Sequence, residues 1–588
     1  MSVRIPRRKF SSAELVGATV RWLVEFLLPG QTIRVAETTL EVPDSQGNIM
    51  HFHAGIRRLE VKEEARFFGT ALPDAATSME VMFPIDVADM IRSGRTLAGA
   101  RCEISQIVEG AAYEMRVPRF TGITGTPTFG DAEIVSLTVL ANAWEDTKKY
   151  PAETETVTGE TWSTATTLAE EEFGLCYPIV IGSPGYIRED RSRCAGTQGV
   201  WVDHGKTGST NYDNLRLVIA NHHVSARRVY AGSAANNGAM NRFEVQHGRD
   251  AKGHLVAYID AKVSDGTYRF SPDTVVGDGN DTYGLGFSTI GNQPSNQEYV
   301  GWYVSWMDDS DPSAGGAHLG DRTLRTATDV IPYLLAKTGM PVDMHAWRGL
   351  GNRFDACLLD FVIDARTQFW KVVQQRLLPL VPLALVLGPQ GIYPVPWKGG
   401  DSWAHPDHKL DVQTDPRIMR ASRVTENARD IKNRAVFNYC WSIRTNTYQK
   451  TVWKDAQPYD QNEPRRSPCR TFRISQERYR NQDGSPRIET DEINCNCVYD
   501  RNVARWVQGW RRKAFALARR EVEYDFPADY GHYSLGDSIL LTDSDVKLSK
   551  RVAVITELTR RAAGKLRVKL VMWEVPERDH GIRMQPAE

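Results

Sequence analysis

Between positions 500 and 575 the chain changes from one hydrophobic periodicity to another, and that change narrows what the region can become. Asp500 is predicted to N-cap a helix, its carboxylate accepting from an orphan first-turn N–H. Val503, Val507, Trp510, Ala514 and Leu517 then recur at helical spacing and share one apolar face. Arg511, Arg512, Arg519 and Arg520 point mostly elsewhere. A polar, aromatic turn region follows at 527–535, and Gly536-Asp537 opens a strand-like run at 538–542. Two more such runs, 551–558 and 565–575, flank Arg560-Arg-Ala-Ala-Gly564. Val552 and Val554, then Leu566, Val568, Leu570 and Met572, alternate as on strands with one apolar and one polar face. The expected unit is one helix laid on a small antiparallel sheet. Nothing in it looks catalytic; it looks like a packing and assembly module.

A polypeptide of 588 residues is too long for one core, and roughly three to five domains are expected. Lys and Arg number 72 against 73 Asp and Glu, which argues against a protein that binds polyanions over its whole surface. Residues 1–10 are basic, but no apolar signal core follows them. The mildly apolar run 18–28 is interrupted by Arg21 and Glu25, and 377–387 carries Pro379 and Pro382. Both fall short of the roughly 20 apolar residues that span a bilayer, so neither is expected to be transmembrane. The eight cysteines form no evident disulfide framework, and folding in a reducing cytoplasm is the expectation.

Residues 13–28 are predicted as an amphipathic helix on Leu15, Val16, Val20, Leu23 and Leu27, ended by Pro29-Gly30. From 32 to 144, short strand-like runs at 33–36, 39–42, 50–53, 79–82, 112–117 and 134–140 predict a β-barrel or sandwich, with a short helix at 84–92. Residues 148–168, rich in Thr and Glu, read as a linker or arm. A second β-rich region has its clearest strands at 178–182 and 215–219, and loops at 188–214 and 271–291. Helices are predicted at 323–337, kinked by Pro332, and at 365–378; Pro379, Pro382, Pro389, Pro394 and Pro396 then impose extended or turning chain. Residues 434–445 return to strand character. The expected division is an N-terminal β-barrel-like domain (1–147), an arm (148–168), a β-rich domain with long loops (169–320), a mixed α/β middle domain (321–430) and a C-terminal α+β domain (431–588). The fold class is therefore mainly β with α+β parts: several barrel or sandwich domains plus the helix-on-sheet module.

Few motifs carry chemistry. Residues 199–207, Gly-Val-Trp-Val-Asp-His-Gly-Lys-Thr, resemble a phosphate loop, but five residues rather than four separate the glycines, and an ordinary turn is expected. Residues 277–284 resemble one calcium-binding nonapeptide of a β-roll; such a roll needs stacked copies, and the sequence has one. His405, Asp407, His408 and Asp411 gather possible metal ligands around Pro406, on a loop, and His222-His223 is a pair whose side chains would point to opposite faces of a strand. Cys440, Cys469, Cys495 and Cys497 fall in a short part of the chain. Cys495 and Cys497 would share a strand face, a geometry that can ligate zinc or an iron–sulfur centre, yet the spacing is not C-x-x-C and buried free thiols are the simpler expectation. There is no G-x-S-x-G elbow and no cysteine in a protease context. The arginine pairs 511–512, 519–520 and 560–561 are expected to form solvated faces rather than nucleic-acid contacts. No catalytic, cofactor-binding or metal residue is assigned, and the 15 tryptophans point to large interfaces.

Three stretches resemble the baseplate hub or tail-tip proteins of tailed bacteriophages. They are 322–335 (Arg-Thr-Leu-Arg-Thr-Ala-Thr-Asp-Val-Ile-Pro-Tyr-Leu-Leu) with 339–343; Leu-Leu-Pro-Leu-Val-Pro at 377–382 with Gly-Pro-Gln-Gly-Ile-Tyr-Pro at 388–394; and the order helix, Leu-Gly-Asp-Ser-Ile-Leu-Leu-Thr at 535–542, then two strands, the second through Trp573. The N-terminal β region is similar in layout to the hub domain of gene-transfer-agent and long-tailed phage tips. The resemblance implies a structural virion protein with no enzymatic role, a homotrimeric hub that closes the tail tube. It implies the distal tail protein, the tape measure protein and receptor-binding or fibre proteins as partners, with assembly in the host cytoplasm before host entry. Some relatives carry a murein hydrolase domain or an iron–sulfur cluster; no hydrolase insertion is present, and the Cys440–Cys497 group only loosely echoes the cluster. A tail-associated cell-wall hydrolase and a receptor- or carbohydrate-binding module are the competing classes.

Overall fold

A computed structural model describes residues 9–574, except 70–75, 84–96, 130–133, 142–148, 163–173, 290–324, 400–405, 444, 457–465 and several stretches between 183 and 285. Its architecture is mainly β with α+β parts. Among the described residues no helix is long and apolar enough to cross a membrane.

The N-terminal part holds β1 (Val20–Leu28), β2 (Gln31–Ala36), β3 (Leu40–Pro43), β4 (Ile49–Ala54), β5 (Ile56–Glu64), β6 (Ala76–Met82), β7 (Arg101–Val108), β8 (Val117–Thr124), β9 (Thr128–Phe129) and β10 (Ile134–Ala141). The pairings β1–β2, β2–β4, β5–β6, β6–β10, β10–β8, β8–β7 and β7–β1 run in a circuit, so the sheet closes into a barrel. β4 and β5 are one strand bent at Gly55. A Cβ at 55 would lie 2.4 Å from the Met82 carbonyl oxygen, and one at Gly122 of β8 would lie 2.1 Å from that of Leu140. Backbones approach this closely only at glycine, and the barrel turns its corners there. Trp22, Val24, Phe26, Val35, Val81, Ile104 and Val139 fill the interior.

The helix predicted at 13–28 is not there. Only Ser12–Leu15 is helical, closed by a capping box between Ser11 and Glu14, and β1 follows. β1 is buried on both faces. Trp22, Val24 and Phe26 face the barrel core, while Leu23 is covered by Val42 and Phe52 of the β3–β4 hairpin. A strand buried on both faces loses period-two alternation, and its apolar residues then match helical spacing by chance. The strand expected at 112–117 is mostly a 3₁₀ turn, Tyr113–Met115, with β8 beginning at Val117. The helix expected at 84–92 lies outside the described residues.

In the middle of the chain, Ile179–Ile181 pairs with Phe361–Ile363. Leu215–Ala220 sits between Val200–Asp203 and Leu255–Ser264 in a second sheet. The strands predicted at 178–182 and 215–219 are therefore present. Both predicted loops also contain strand: Val200–Asp203 in one, Thr274–Asp278 and Gly286–Thr289 in the other. Helix α1 (Ala327–Lys337) accommodates Pro332, and the second predicted helix begins at Phe369, widens into a π-type turn at Val373–Leu377 and tightens at Leu378–Leu380.

The apolar, proline-rich run after it forms a hairpin, β11 (Leu383–Gly388) and β12 (Gly391–Pro396). It divides two cores. Leu383, Leu385 and Ile392 face the core built with α1, whereas Ala384, Val386, Tyr393 and Val395 face the core of the C-terminal sheet. Burial on both faces is why this segment reads as one continuous apolar run.

Beyond it lie β13 (Arg434–Ser442), β14 (Thr447–Asp455), helix α2 (Arg501–Phe515), β15 (Arg519–Phe526), β16 (Ser538–Asp543), β17 (Leu548–Arg561) and β18 (Leu566–Trp573). Asp500 caps α2 as predicted, its carboxylate accepting from the Asn502 N–H at 2.7 Å. The sheet under the helix differs from the expectation. Val503, Val507, Trp510 and Ala514 pack with Phe437, Tyr439 and Val452 of the preceding strands. β15–β18 build a separate core from Val522, Tyr524, Ile539, Leu541, Ile555, Val568 and Leu570. β15 is an additional strand; it pairs with β18 along its whole length and its charged residues face outward.

Candidate functional site

The barrel and the C-terminal sheet share a ladder. Glu60–Glu64 of β5 pair antiparallel with Glu557–Arg561 of β17, residues about five hundred positions apart. Three features are organised along this seam.

The first is an aromatic box. After β5 the chain turns at Phe67-Phe68. Phe68 stacks on Trp510 of α2, with ring centroids 5.4 Å apart and planes at 12°, and meets Phe515 at 5.0 Å, Trp397 at 5.4 Å and Trp573 at 6.4 Å edge-on. Its φ is +65°, a conformation that costs a bulky side chain about 1–3 kcal/mol. Aromatic contacts contribute about 0.5–1.5 kcal/mol per pair beyond burial, so the four together exceed the strain. One residue of the barrel thus touches the helix, the β12 end and the C-terminal sheet.

The second is a buried arginine pair. Arg560 is 3% exposed; its Nε–H donates to Glu63 at 3.2 Å, and its Nη groups donate to the carbonyls of Gly531 at 3.1 Å and Tyr533 at 2.8 Å. Arg119 of β8 is 9% exposed and donates to Gln106 at 2.9 Å and to the same Gly531 carbonyl at 3.4 Å. Burial, and then the Arg560 charge, disfavour the charged form of Arg119. A cavity of about 60 Å³ opens beside them.

The third is a histidine contact. His408 Nε2–H donates to the Asp537 carboxylate at 3.1 Å, and its ring lies 5.4 Å from that of His532, whose Nδ1–H donates to the Asp529 carbonyl at 3.0 Å. Burial pushes His532 below its ordinary value; His408 and Arg560 act in the same direction, while the Asp529 carbonyl and Asp537 oppose it. The unfolded chain therefore takes up this proton first as pH falls, and stability is lost below about pH 6.5. Melting temperatures between pH 7 and 5 should fall more in the parent chain than in His532→Gln. Parallel profiles would contradict this.

The residues singled out from sequence are dispersed. Asp407 accepts from Lys398 at 2.7 Å and from the Ser538 N–H at 2.8 Å, and Asp411 accepts from the Gln413 N–H at 3.1 Å. His408 is engaged as above, while His405 and His222-His223 lie outside the described residues. Cys440, Cys495 and Cys497 are buried in the α2 core, where the Cys497 N–H donates to the Cys495 sulfur at 3.4 Å; Cys469 belongs to another cluster with Ala435, Phe472 and Ala516. The contact with Cys495, and then burial, push the Cys497 thiol up, away from the thiolate that metals and electrophiles require. Among the described residues no three His, Cys, Asp or Glu are placed to hold a metal ion. Of the phosphate-loop-like stretch, Val200–Asp203 is strand; 204–207, like most of the calcium-like loop, lie outside the described residues.

The arginine pairs are the solvated faces expected only in part. Arg511 grips Asp491 through Nε and Nη2 at 2.7 and 2.8 Å and the Pro379 carbonyl at 3.1 Å, and Arg560 is buried. Arg519, Arg520 and Arg561 are partly exposed and pair with Asp430, Glu426 and Glu60. These pairings hold segments together. Sequence reasoning missed Phe67-Phe68 and Arg119 altogether; an adjacent aromatic pair after a charged strand was the available signal for the first.

No family model matches the chain, and no curated protein matches it. Among solved structures, a tail protein from Neisseria meningitidis overlaps 95% of this chain and 98% of its own at 9% identity and a TM-score of 0.37. The prophage MuSo2 tail protein from Shewanella oneidensis overlaps 94% and 97% at 8% identity and a TM-score of 0.34. A prophage tail protein from Listeria monocytogenes overlaps 67% and 94% at 9% identity and a TM-score of 0.21. All three are tail proteins by description, two of them from prophages.

Proposed function

We propose that the chain is a structural protein of a phage-type virion: the baseplate hub or tail tip, a homotrimer that closes the tail tube and performs no reaction. In this reading the 1–147 barrel and the 431–588 domain form the ring. The distal tail protein sits above, the tape measure end reaches in, and receptor-binding or fibre proteins hang below. One observation carries the reading. The stretches that resemble hub proteins lie far apart in sequence and meet at one place. Val330, Leu334, Met340, Leu377 and Leu380 pack against the inner face of the β11–β12 hairpin, while Leu535, Ile539 and Leu541 pack against its other face. The family-like residues are thus the ones that weld the cores into a block, as a load-bearing shell component requires.

Native mass spectrometry of the purified chain together with imaging of assembled particles tests the proposal. A trimer, and density for this chain at the closed end of the tube, are expected. A stable monomer that never enters particles would sink it. Clearing of peptidoglycan in a zymogram would favour the cell-wall hydrolase instead, and binding of the isolated chain to host cells a receptor-binding module.

A further inference from the structure

The cavity at the seam is charged in an unbalanced way. Lys9, Arg119 and Arg560 line it against two carboxylates, Glu63 and Asp343. Glu63 favours the charged form of Arg119, but less than burial and the Arg560 charge disfavour it. Glu63 is bound to Arg560, and Asp343 caps the short helix Met344–Arg348, accepting from the Ala346 N–H at 3.0 Å. Arg119 itself lies over the Phe10 ring at 5.6 Å and meets neutral oxygens, those of Gln106 and Gly531. Its hydrogen bonds employ two of the five N–H donors of a guanidinium, the second a long one to a carbonyl that Arg560 also uses. Two buried cations therefore converge on one neutral oxygen, beside an opening of about 60 Å³. Burying an uncompensated charge is costly, and two like charges at this range add to the cost. Glu63 and the face of the Phe10 ring offset this in part, and a further negative group in the cavity would offset the rest.

We propose that this cavity binds a small oxyanion of the carboxylate or phosphate class, held by the free edge of Arg119 with Arg560 behind it. The volume suits one such group with a water or two. The planar fork of arginine is the donor set that matches paired oxygens. The site is independent of the assembly reading: it depends on the seam within one chain, whatever the chain builds. An anion there would tie barrel to sheet, since Arg119 belongs to β8 and Arg560 to β17.

Isothermal titration of the full chain with inorganic phosphate and with acetate, in chloride buffer, tests the inference. Saturable binding at one site per chain is expected. Arg119→Met should weaken it by about ten- to a hundredfold, the range for losing charge-assisted hydrogen bonds. Glu63→Gln removes a competing carboxylate and should tighten binding about fivefold, a change opposite in sign to any general loosening of the seam. No saturable uptake, or unchanged affinity in Arg119→Met, would overturn the site. Should Arg119→Met fail to fold by circular dichroism, Glu63→Gln decides alone: tighter binding supports the site, and equal or weaker binding rejects it.

Discussion

Asp360→Ala is expected to remove about 3–5 kcal/mol of stability, the range for taking one partner from a buried ion pair. Asp360 is fully buried, and Arg325 meets it through Nη2 and Nε, each at 2.8 Å. The surrounding backbone is tied in as well: the Asp360 N–H donates to the Cys497 carbonyl and the Leu359 N–H to that of Arg325, both at 2.8 Å. Gly182 lies so close that a Cβ there would fall 2.3 Å from the Asp360 carboxylate, and its φ of +65° also requires glycine. The node therefore joins the Ile179–Ile181 strand, the entry to α1 and the Cys495–Cys497 segment. Truncation leaves the Arg325 cation buried and alone. Replacing both partners, Arg325→Met with Asp360→Leu, should recover most of the loss, because no charge is then stranded. Urea melts with unchanged m-values check both. A cost below about 1 kcal/mol for the single change would mean that solvent reaches the arginine.

Phe68→Ala is expected to cost about 2–4 kcal/mol, less than a fully buried phenylalanine because the ring is half-buried. Its second consequence is more specific. The box around Phe68 is one of several connections between barrel and C-terminal sheet; among the others are the β5–β17 ladder, the arginine pair and the bond from the Trp22 indole N–H to the Arg561 carbonyl. Without it the unfolding curve followed by tryptophan fluorescence, which includes Trp397, Trp510 and Trp573 among the chain's 15 tryptophans, should separate from that followed by far-ultraviolet circular dichroism. A double-mutant cycle with Trp510→Ala should show coupling of about 1 kcal/mol. Coincident curves and additive losses would show that the box does not unite the two parts.

Which elements could be read from sequence follows from how each is buried. β10 was legible because Val135, Leu137 and Val139 are buried while Ser136, Thr138 and Leu140 are exposed, so the period of two survives. β1 was not, because both its faces are covered. β5 and β15 were missed for the opposite reason: Ile56–Glu64 and Arg519–Phe526 are so charged that their apolar alternation is diluted. The charges of β5 belong to the seam, and those of β15 to its pairing with β18. Glu60 and Glu63 meet Arg561 and Arg560, and Asp525 holds Arg567 at 2.8 Å. The doublet at 560–561 was visible in the sequence, but as a solvated face, since nothing near it in the chain offers a partner. The cysteines and the 405–411 cluster stood out by residue type and turned out to be scattered or locally engaged, because type without shared geometry makes no site.

What the amino-acid order determined alone is local. Asp500 starts α2, Pro29-Gly30 turns β1 into β2, and prolines hold the chain extended through the hairpin, each through interactions that reach three or four residues. Which sheet α2 covers, and that β5 is completed by β17, were decided by tertiary packing. A cross-strand pair has the same chemistry whether its partners are five or five hundred residues apart. The chain therefore records the groups that meet at the seam, and only the folded molecule records that they meet.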